Sequence, residues 1–310
     1  MKTIHRTLVV IDPLQSEAQI LERAKSIADL TQSHLHLLTC NKKSDPSSHL
    51  FDMQDALIEQ GFSVSAQQAW NGNPHKTIIA VQQEQGCSLV IKQHQPDNPL
   101  TKSFLSPDDW ALLRYCPCPI LIVKAAVSWT GGAILAAVDA GSSDIEHRIL
   151  QTGIVSHGFD LTQLTGGSLH LVSACPSPTQ SSADPVFQLR ESIQSYYREQ
   201  CQAFQDEFNI DEQHLHIEEG PAELLIPQLA HRLKAAVTVI GSVARTGLAG
   251  ALYGNTSEMI LDAMESDVLV LKANDVITHL EELTAPPLRN ASIDAQAHTW
   301  PYNHPIRASN

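Results

Sequence analysis

The chain has 310 residues, 43% of them hydrophobic, and is therefore long enough to form two domains that each bury a core. Its 34 acidic and 20 basic residues give a formal net charge of -14, which opposes the attraction to phosphates that nucleic-acid binding requires. The apolar runs are too short for a signal peptide or a membrane span. We therefore expect a cytoplasmic protein with no membrane span and no direct contact with nucleic acid.

The chain consists of two halves that repeat one another. The apolar runs of the first half are Thr7–Asp12, Leu35–Cys40, Ser88–Lys92 and Pro119–Lys124. Their counterparts in the second half are Ala133–Asp139, Leu169–Cys175, Val237–Gly241 and Asp267–Lys272. Helical patterns lie between the runs, at Pro74–Glu84, Pro221–Leu233 and Asn255–Met264. This alternation is typical of β-α-β units, so each half is predicted to be a doubly wound α/β domain with a parallel sheet.

Spacing within the repeat sets the domain boundaries. Asp12 and Lys124 are 112 residues apart, whereas Asp139 and Lys272 are 133 apart, and the additional residues fall around the first two crossovers. We place the first domain at residues 1–127 and the second at 128–275. Because the connection is short, we expect the domains to pack together. Residues 276–310, rich in proline and without apolar periodicity, are predicted to be a poorly ordered tail.

Cysteine and histidine patterns offer candidate metal or redox sites. The spacing in Cys116-Pro-Cys-Pro119 is not that of a zinc or thioredoxin motif, and buried thiols are the favoured interpretation. The pairs His34/His36 and His214/His216 are each predicted to share one face of a strand. Neither has a third ligand nearby in sequence, so solvent-facing or strand-end histidines are favoured over zinc ligands.

The glycine-rich stretch from Gly241 to Glu258 follows a predicted strand and leads into the predicted helix at Asn255. Ligands of doubly wound sheets bind beyond the carboxyl ends of the strands, where this stretch and Asp139 both lie. Free amides at a helix start attract phosphate oxygens. The alternative is a surface loop in which Asn255 or Thr256 is only a helix cap, and composition alone leaves both interpretations open.

The loop also resembles a known motif. Gly241-Ser-Val-Ala-Arg-Thr-Gly-Leu, followed by Gly254-Asn-Thr256, is similar to the nucleotide loop Gly-x2-Gly-x9-Gly-Ser/Thr of the universal stress protein family. Both halves resemble that family's domain. The resemblance implies two tandem five-stranded parallel α/β domains of the adenine nucleotide alpha hydrolase-like type. It also implies a cytoplasmic role in resistance to stress, including DNA damage.

The resemblance further implies ATP or another adenine nucleotide as the ligand, with Mg²⁺ as a candidate companion ion. The nucleotide-binding positions carried over to this chain are Ala137, Asp139, Gly241, Ala244, Arg245, Gly254, Asn255 and Thr256. Two positions depart from the motif, since Ala244 replaces its second glycine and Asn255 replaces its Ser/Thr.

The first half lacks the glycine loop. In the sequence alignment Lys92 occupies the place of Gly241, and residues 93–106 contain no glycine. Asp12 remains, and we expect it to cap a strand or a turn. The first domain is therefore predicted to be a degenerate partner.

Two functions are compatible with these features. The leading hypothesis is a stress protein that senses an adenine nucleotide in its second domain and acts through a homodimer or a protein partner. The alternative is a protein with an eroded nucleotide site that binds a small metabolite or serves as an interaction module. No residue is identified as catalytic or as a metal ligand, and slow ATP hydrolysis is the most enzymatic activity we expect.

Overall fold

The computed structural model describes residues 1, 4–42, 48–94, 105–124, 127–142, 144–177, 190–242 and 255–284. The first half contains β1 (Arg6–Val10), α1 (Ala18–Thr31), β2 (His34–Cys40), α2 (Ser48–Glu59), β3 (Val64–Ala69), α3 (Pro74–Gln85), β4 (Leu89–Gln93), α4 (Pro107–Tyr115) and β5 (Ile120–Val123). The second half contains β6 (Ala133–Ala137), α5 (Ile145–Thr165), β7 (Ser168–Cys175), α6 (Arg190–Phe208), a short 3-10 helix (Glu212–His214), β8 (Leu215–Glu219), α7 (Ala222–Leu233), β9 (Val237–Ser242), α8 (Asn255–Ala263), β10 (Asp267–Lys272) and α9 (Asn274–Thr284).

The strands of the described residues form one ten-stranded sheet in the order β3-β2-β1-β4-β5-β10-β9-β6-β7-β8. All pairs within each half are parallel, which confirms the predicted doubly wound α/β fold. The halves join through β5 and β10, which run antiparallel to one another. As a result, the carboxyl ends of the two sets of parallel strands lie at opposite edges of the sheet.

Helices cover both faces of the sheet. Buried residues of α1, α2, α5, α6 and α9 pack in one apolar cluster, and those of α3, α4, α7 and α8 pack in the other. The central strands are rich in buried apolar residues because helices cover them on both sides, whereas the edge strands β3 and β8 are more polar and only partly buried. None of the helices in the described ranges combines the length and hydrophobicity needed to cross a bilayer.

A buried carboxylate lies where the two halves join. Asp267, at the start of β10, is fully buried and accepts hydrogen bonds from Arg23 Nε and Trp129 Nε1, both at 2.8 Å. Its other oxygen accepts the backbone N–H of Lys124 at 2.7 Å. The Arg23 guanidinium lies 4.9 Å from the centre of the Trp129 ring and donates to the carbonyl of Val127. The connection between the halves is therefore packed and hydrogen-bonded through its tryptophan.

Two lysines make equivalent contacts in opposite directions across this junction. Lys124 follows β5 and donates its ammonium to the carbonyl of Leu261, in the last turn of α8, at 2.8 Å. Lys272 ends β10 and donates to the carbonyl of Cys116, immediately after α4. Each half thus places a cation at the carboxyl end of a helix in the other half, where the helix dipole favours positive charge.

Part of the predicted tail is ordered. Residues 276–284 belong to α9, and Val276 and Leu280 are buried in the apolar cluster of α5. Residues 276–284 of the predicted tail thus belong to a helix, which docks through two apolar side chains spaced four apart. Residues 285–310 lie outside the described residues.

The predicted histidine pairs lie in β2 and at the start of β8. His34 and His36 share a face of β2, since both rings lie 2.7 Å from the hydroxyl of Ser65. His214, however, ends the 3-10 helix, and only His216 lies in β8. The expected solvent-facing position is wrong for His36, which is 3% exposed because a helix-covered strand faces the core.

His170 of β7 brings the second pair together. It is buried, its Nδ1 lies 3.1 Å from Nε2 of His216, and its ring centre lies 4.3 Å from that of His214. Burial and the two neighbouring imidazoles lower the pKa of His170 to about 4. Burial also lowers the pKa of His216, assisted by Arg232 and opposed by Glu218. Protonation of His170 or His216 therefore opposes folding of this cluster.

Replacing Asp267 tests the junction. We expect Asp267→Ala to lower the free energy of unfolding by about 3 kcal/mol, because it leaves Arg23 buried without its buried counter-ion. Glu22→Ala, which removes the exposed carboxylate on the same arginine, should cost about 0.5 kcal/mol or less. Urea unfolding measures both changes, and equal effects would contradict a dominant role for the buried pair.

Acid should lower the free energy of unfolding of the second half. The folded pKa of His170 lies below its unfolded value, so the unfolded chain binds more protons and stability falls as the pH drops from 7 to 5. His170→Gln should flatten this slope, whereas His5→Gln, at an exposed position, should not. Thermal unfolding at several pH values measures the slopes, and parallel curves for wild type and His170→Gln would refute the assignment.

Candidate functional site

Three predicted site residues meet at the carboxyl edge of the second half. β6 lies between β7 and β9, so the winding direction of the sheet reverses beside it. The pairing of Ala136 with Val239 brings the residues that follow β6 next to the end of β9. Ala137 is buried at this edge, Asp139 is exposed, and Gly241 lies in the neighbouring strand. This is the crevice in which doubly wound sheets bind ligands.

The backbone around Asp139 is held firmly while its carboxylate is accessible. Its carbonyl accepts hydrogen bonds from Gln151 Nε2 at 2.6 Å and from the N–H of Ser142 at 3.1 Å. The next N–H, that of Ala140, donates to the buried hydroxyl of Ser173 at 3.1 Å. Within the described part of the chain, no hydrogen bond or ion pair engages the Asp139 carboxylate. An accessible acceptor on a rigid backbone is suited to bind ligand hydroxyl or amino groups.

Gly241 is required by packing. A Cβ at this position would lie 2.7 Å from Cδ2 of Leu150 and 3.0 Å from Cδ1 of Ile154, both on α5. The missing side chain therefore lets α5 approach the end of β9 closely. The motif resemblance predicts a nucleotide-binding role for Gly241, and the packing against α5 gives this glycine a second role within the fold.

The remaining predicted positions surround the start of α8. Ala244, Arg245 and Gly254 lie outside the described residues. Asn255 and Thr256 form the first turn of α8. The structure therefore brings together three of the predicted residues and positions the backbone of two more.

Tyr197 is a residue of this site that sequence analysis did not identify. Its hydroxyl packs so closely on Gly141 that a Cβ there would lie 2.1 Å from it. Burial raises the pKa of Tyr197, with further contributions from Asp139 and Cys175. The side chain therefore lies over the ends of β6 and β7. Tyr197 lies on α6, in a crossover that is longer in the second half than in the first. This additional length was the only sequence feature that pointed to α6.

The strand register aligns the two halves differently from the sequence comparison. Val9 lies three positions before Asp12 and pairs with Ile91, and Ala136 lies three positions before Asp139 and pairs with Val239. Ile91 of the first half therefore corresponds to Val239 of the second. Gln93 therefore occupies the place of Gly241, and the prediction that Lys92 does so is wrong. Because side chains alternate along a strand, the shift by one residue directs Lys92 toward α4 instead of α1.

Opposite charges pair with one another at the carboxyl edge of the first half, within the described residues. Asp109, in the first turn of α4, is fully buried and forms an ion pair with Lys92. Burial opposes its ionisation, but His94, Lys92 and Ser106 together lower the pKa of Asp109 to about 2. A permanent carboxylate thus lies at the amino end of α4, where an anionic ligand would otherwise bind.

Asp12 closes a turn, as the sequence suggested. Its Oδ1 accepts the N–H of Leu14 at 2.9 Å, and its Oδ2 accepts Nε2 of Gln15 at 3.2 Å. Both carboxylate oxygens are therefore engaged locally, in contrast to those of Asp139. The two halves thus have an aspartate at the equivalent position, but only the carboxylate of Asp12 is hydrogen-bonded within the described residues.

A surface cavity of about 520 Å³ lies between the halves. It is lined by His75, Trp110 and Arg114 from the first half and by Asp262 from the second. Its mixture of aromatic, cationic and anionic groups suits a small polar molecule. The cavity is separate from the edge that carries Asp139.

Comparison with known proteins identifies the family. Residues 3–124 and 132–272 each match the Universal stress protein family. Universal stress protein E of Salmonella typhi is 30% identical, with 91% of this chain and 98% of that protein covered. The protein of the same name from Escherichia coli K12 is 29% identical over the same shares of the two chains.

Solved structures share the fold of this chain. A functionally unknown protein from Pseudomonas aeruginosa PAO1 is 56% identical, with a TM-score of 0.84 that covers 91% of this chain and 98% of that one. A universal stress protein from Archaeoglobus fulgidus, 17% identical with a TM-score of 0.62 over 87% of this chain and 99% of its own, shares the fold. The chain thus belongs to the universal stress protein family, with two copies of the family domain in a tandem resembling universal stress protein E.

Proposed function

We propose that the second domain binds an adenine nucleotide, with ATP as the leading candidate, and that its occupancy regulates a stress response. The contrast between the two strand-closing aspartates carries the proposal. The carboxylate of Asp12 is engaged by its own turn, whereas Asp139 is exposed and its carboxylate has no hydrogen bond within the described residues. This contrast supports a ligand site in the second domain rather than in the first.

The groups around Asp139 fit the parts of a nucleotide. A carboxylate accepts hydrogen bonds from the hydroxyls of a ribose or from an exocyclic amine. The amino end of α8 offers backbone N–H groups and a favourable dipole to phosphates. Phosphates bring their own Mg²⁺, which binds to them and to water more readily than to a single protein carboxylate. The site thus requires no dedicated protein cage for the ion.

Regulation would act through protein contacts in the cytoplasm. With an acidic surface overall, the chain is poorly suited to contact DNA, so protection against DNA damage would act through signalling, metabolism or a partner. The first domain, whose ligand edge is closed, contributes surface for a homodimer or another protein. Binding of the nucleotide, without its hydrolysis, is sufficient for this role.

Nucleotide titration tests the site directly. We expect wild type to bind ATP with better than millimolar affinity by native mass spectrometry and calorimetry, and Asp139→Asn to weaken binding at least about tenfold, the cost of a charge-assisted hydrogen bond. Asp12→Asn is the matched control and should stay within about twofold. Gly254→Leu should also abolish binding, since a bulky side chain enters the loop.

The same measurements can reject the proposal. If wild type shows no affinity for ATP, ADP or AMP better than millimolar, nucleotide binding is ruled out. A different small molecule that co-purifies with the protein would favour the alternative, in which the cavity between the halves holds a polar metabolite.

Tyr197 should form one wall of the nucleotide site. Tyr197→Ala is expected to weaken ATP binding about tenfold, because stacking of a base on an aromatic ring contributes about 1–3 kcal/mol. Tyr197→Phe keeps the ring and should bind within about threefold of wild type. Calorimetry with ATP measures both variants. Stronger binding by Tyr197→Ala would mean that the ring obstructs the site.

A further inference from the structure

Two cysteines are held together in the turn between α4 and β5. Cys116 and Cys118 flank Pro117, and their sulfur atoms lie 3.6 Å apart. Both side chains are buried, at 0% and 6% exposure. The N–H of Cys116 donates to the carbonyl of Leu112 at 2.9 Å, which fixes the first cysteine to the end of α4. The geometry places two thiols within reach of a covalent bond.

A buried cation accompanies this pair. Lys272 is 6% exposed, and its ammonium donates to the carbonyl of Cys116. Among the described residues no carboxylate forms an ion pair with Lys272, and the ionisable groups that face it are Cys116 and Cys118. Its counterpart Lys124 is instead faced by three aspartates, which are Asp262, Asp109 and Asp267.

Burial of an ammonium without a counter-charge is costly, and a thiolate is the anion that this site can supply. The Cys118 thiol is positioned to donate its S–H to a Cys116 thiolate. This hydrogen bond lowers the pKa of Cys116 to about 7, with burial opposing ionisation and Lys272 favouring it. At Cys87 and Cys201 burial is the dominant influence, and it raises the pKa of Cys87 to about 11 and that of Cys201 to about 12.

We propose that Cys116 and Cys118 are a redox-active dithiol that small hydroperoxides oxidise to an intramolecular disulfide. The sulfur of the Cys116 thiolate attacks one oxygen of the hydroperoxide, and an S–O bond forms as the O–O bond breaks. The leaving alkoxide, or hydroxide from hydrogen peroxide, takes a proton from Lys272. Cys116 is then a sulfenic acid.

In the second step the Cys118 sulfur attacks the sulfenic sulfur of Cys116. The S–S bond forms, the S–O bond breaks, and hydroxide leaves with the Cys118 proton as water. Two sulfurs lose one electron each and the hydroperoxide gains both. Lys272 ends as a neutral amine, so oxidation removes the negative and the positive charge together. No uncompensated charge is left in the core.

This chemistry connects the two domains. Lys272 belongs to β10 of the second half and pairs in register with Ser242, at the carboxyl edge where Asp139 also lies. The dithiol belongs to the first half. Oxidation of one half would therefore change the charge at the ligand edge of the other. The redox step itself does not depend on nucleotide binding.

Peptide mapping of the full chain tests the proposal. Reduced protein is treated with hydrogen peroxide, unfolded in iodoacetamide and digested with trypsin without reductant. The tryptic peptide Tyr115–Lys124 contains Cys116 and Cys118 and no other cysteine. We expect it to appear unalkylated and lighter by two hydrogen atoms than the dithiol, and dithiothreitol should reverse the change. Cumene hydroperoxide should react more slowly, because the thiols are buried.

Three variants separate the roles. Cys118→Ser should stop at the sulfenic acid, which dimedone traps on Cys116. Lys272→Met should slow disulfide formation about tenfold at pH 7, since an ordinary cysteine is only a few per cent thiolate there. Cys201→Ser is the matched control, a buried cysteine remote from Lys272, and should react at the wild-type rate.

Several results would overturn the proposal. These are full alkylation of the peptide after peroxide, a cross-link to the Cys87 peptide instead, or a stoichiometric zinc ion on the purified protein. Equal rates for wild type and Lys272→Met would remove the role of the lysine. If Lys272→Met does not fold, the pH dependence of disulfide formation in the wild type is measured instead. A rate that does not change between pH 6 and 9 would likewise remove the role of the lysine.

Discussion

The arrangement of the whole protein depends on one buried carboxylate. Asp267 starts the strand at which the second half meets the first, and it receives hydrogen bonds from Arg23, Lys124 and Trp129. These donors come from a helix, a strand end and the connecting segment. In a low-dielectric interior such a pair is stable only with all its partners in place, so it fixes one relative position of the halves. The ten-stranded sheet follows from that position.

The antiparallel junction also explains why the two halves differ. Since the carboxyl ends of the strands lie at opposite edges, each half has its own ligand edge. In the first half Lys92 and Asp109 neutralise one another at the start of α4. In the second half Asp139 has no such partner among the described residues. The same fold therefore carries a charge pair at the ligand edge of the first half and an accessible carboxylate at that of the second.

The repeat, the strands and the parallel sheet could be predicted because apolar periodicity is local. The antiparallel pairing of β5 with β10 could not, since both are equally apolar. The placement of Lys92 failed by one residue, because sequence similarity in a short strand does not determine which face a side chain occupies. Tyr197 and Lys272 were missed for another reason: their partners are distant in the chain, and no pattern links them.

The reciprocal lysine contacts make each half depend on the other. Lys124 of one half caps a helix of the other, and Lys272 does the reverse. A half expressed alone would expose the edge of β5 or β10 together with a lysine lacking its carbonyl acceptor. Bare apolar edges invite association with any free strand. The two halves are therefore interdependent, and separating them would yield fragments that aggregate or pair again with one another.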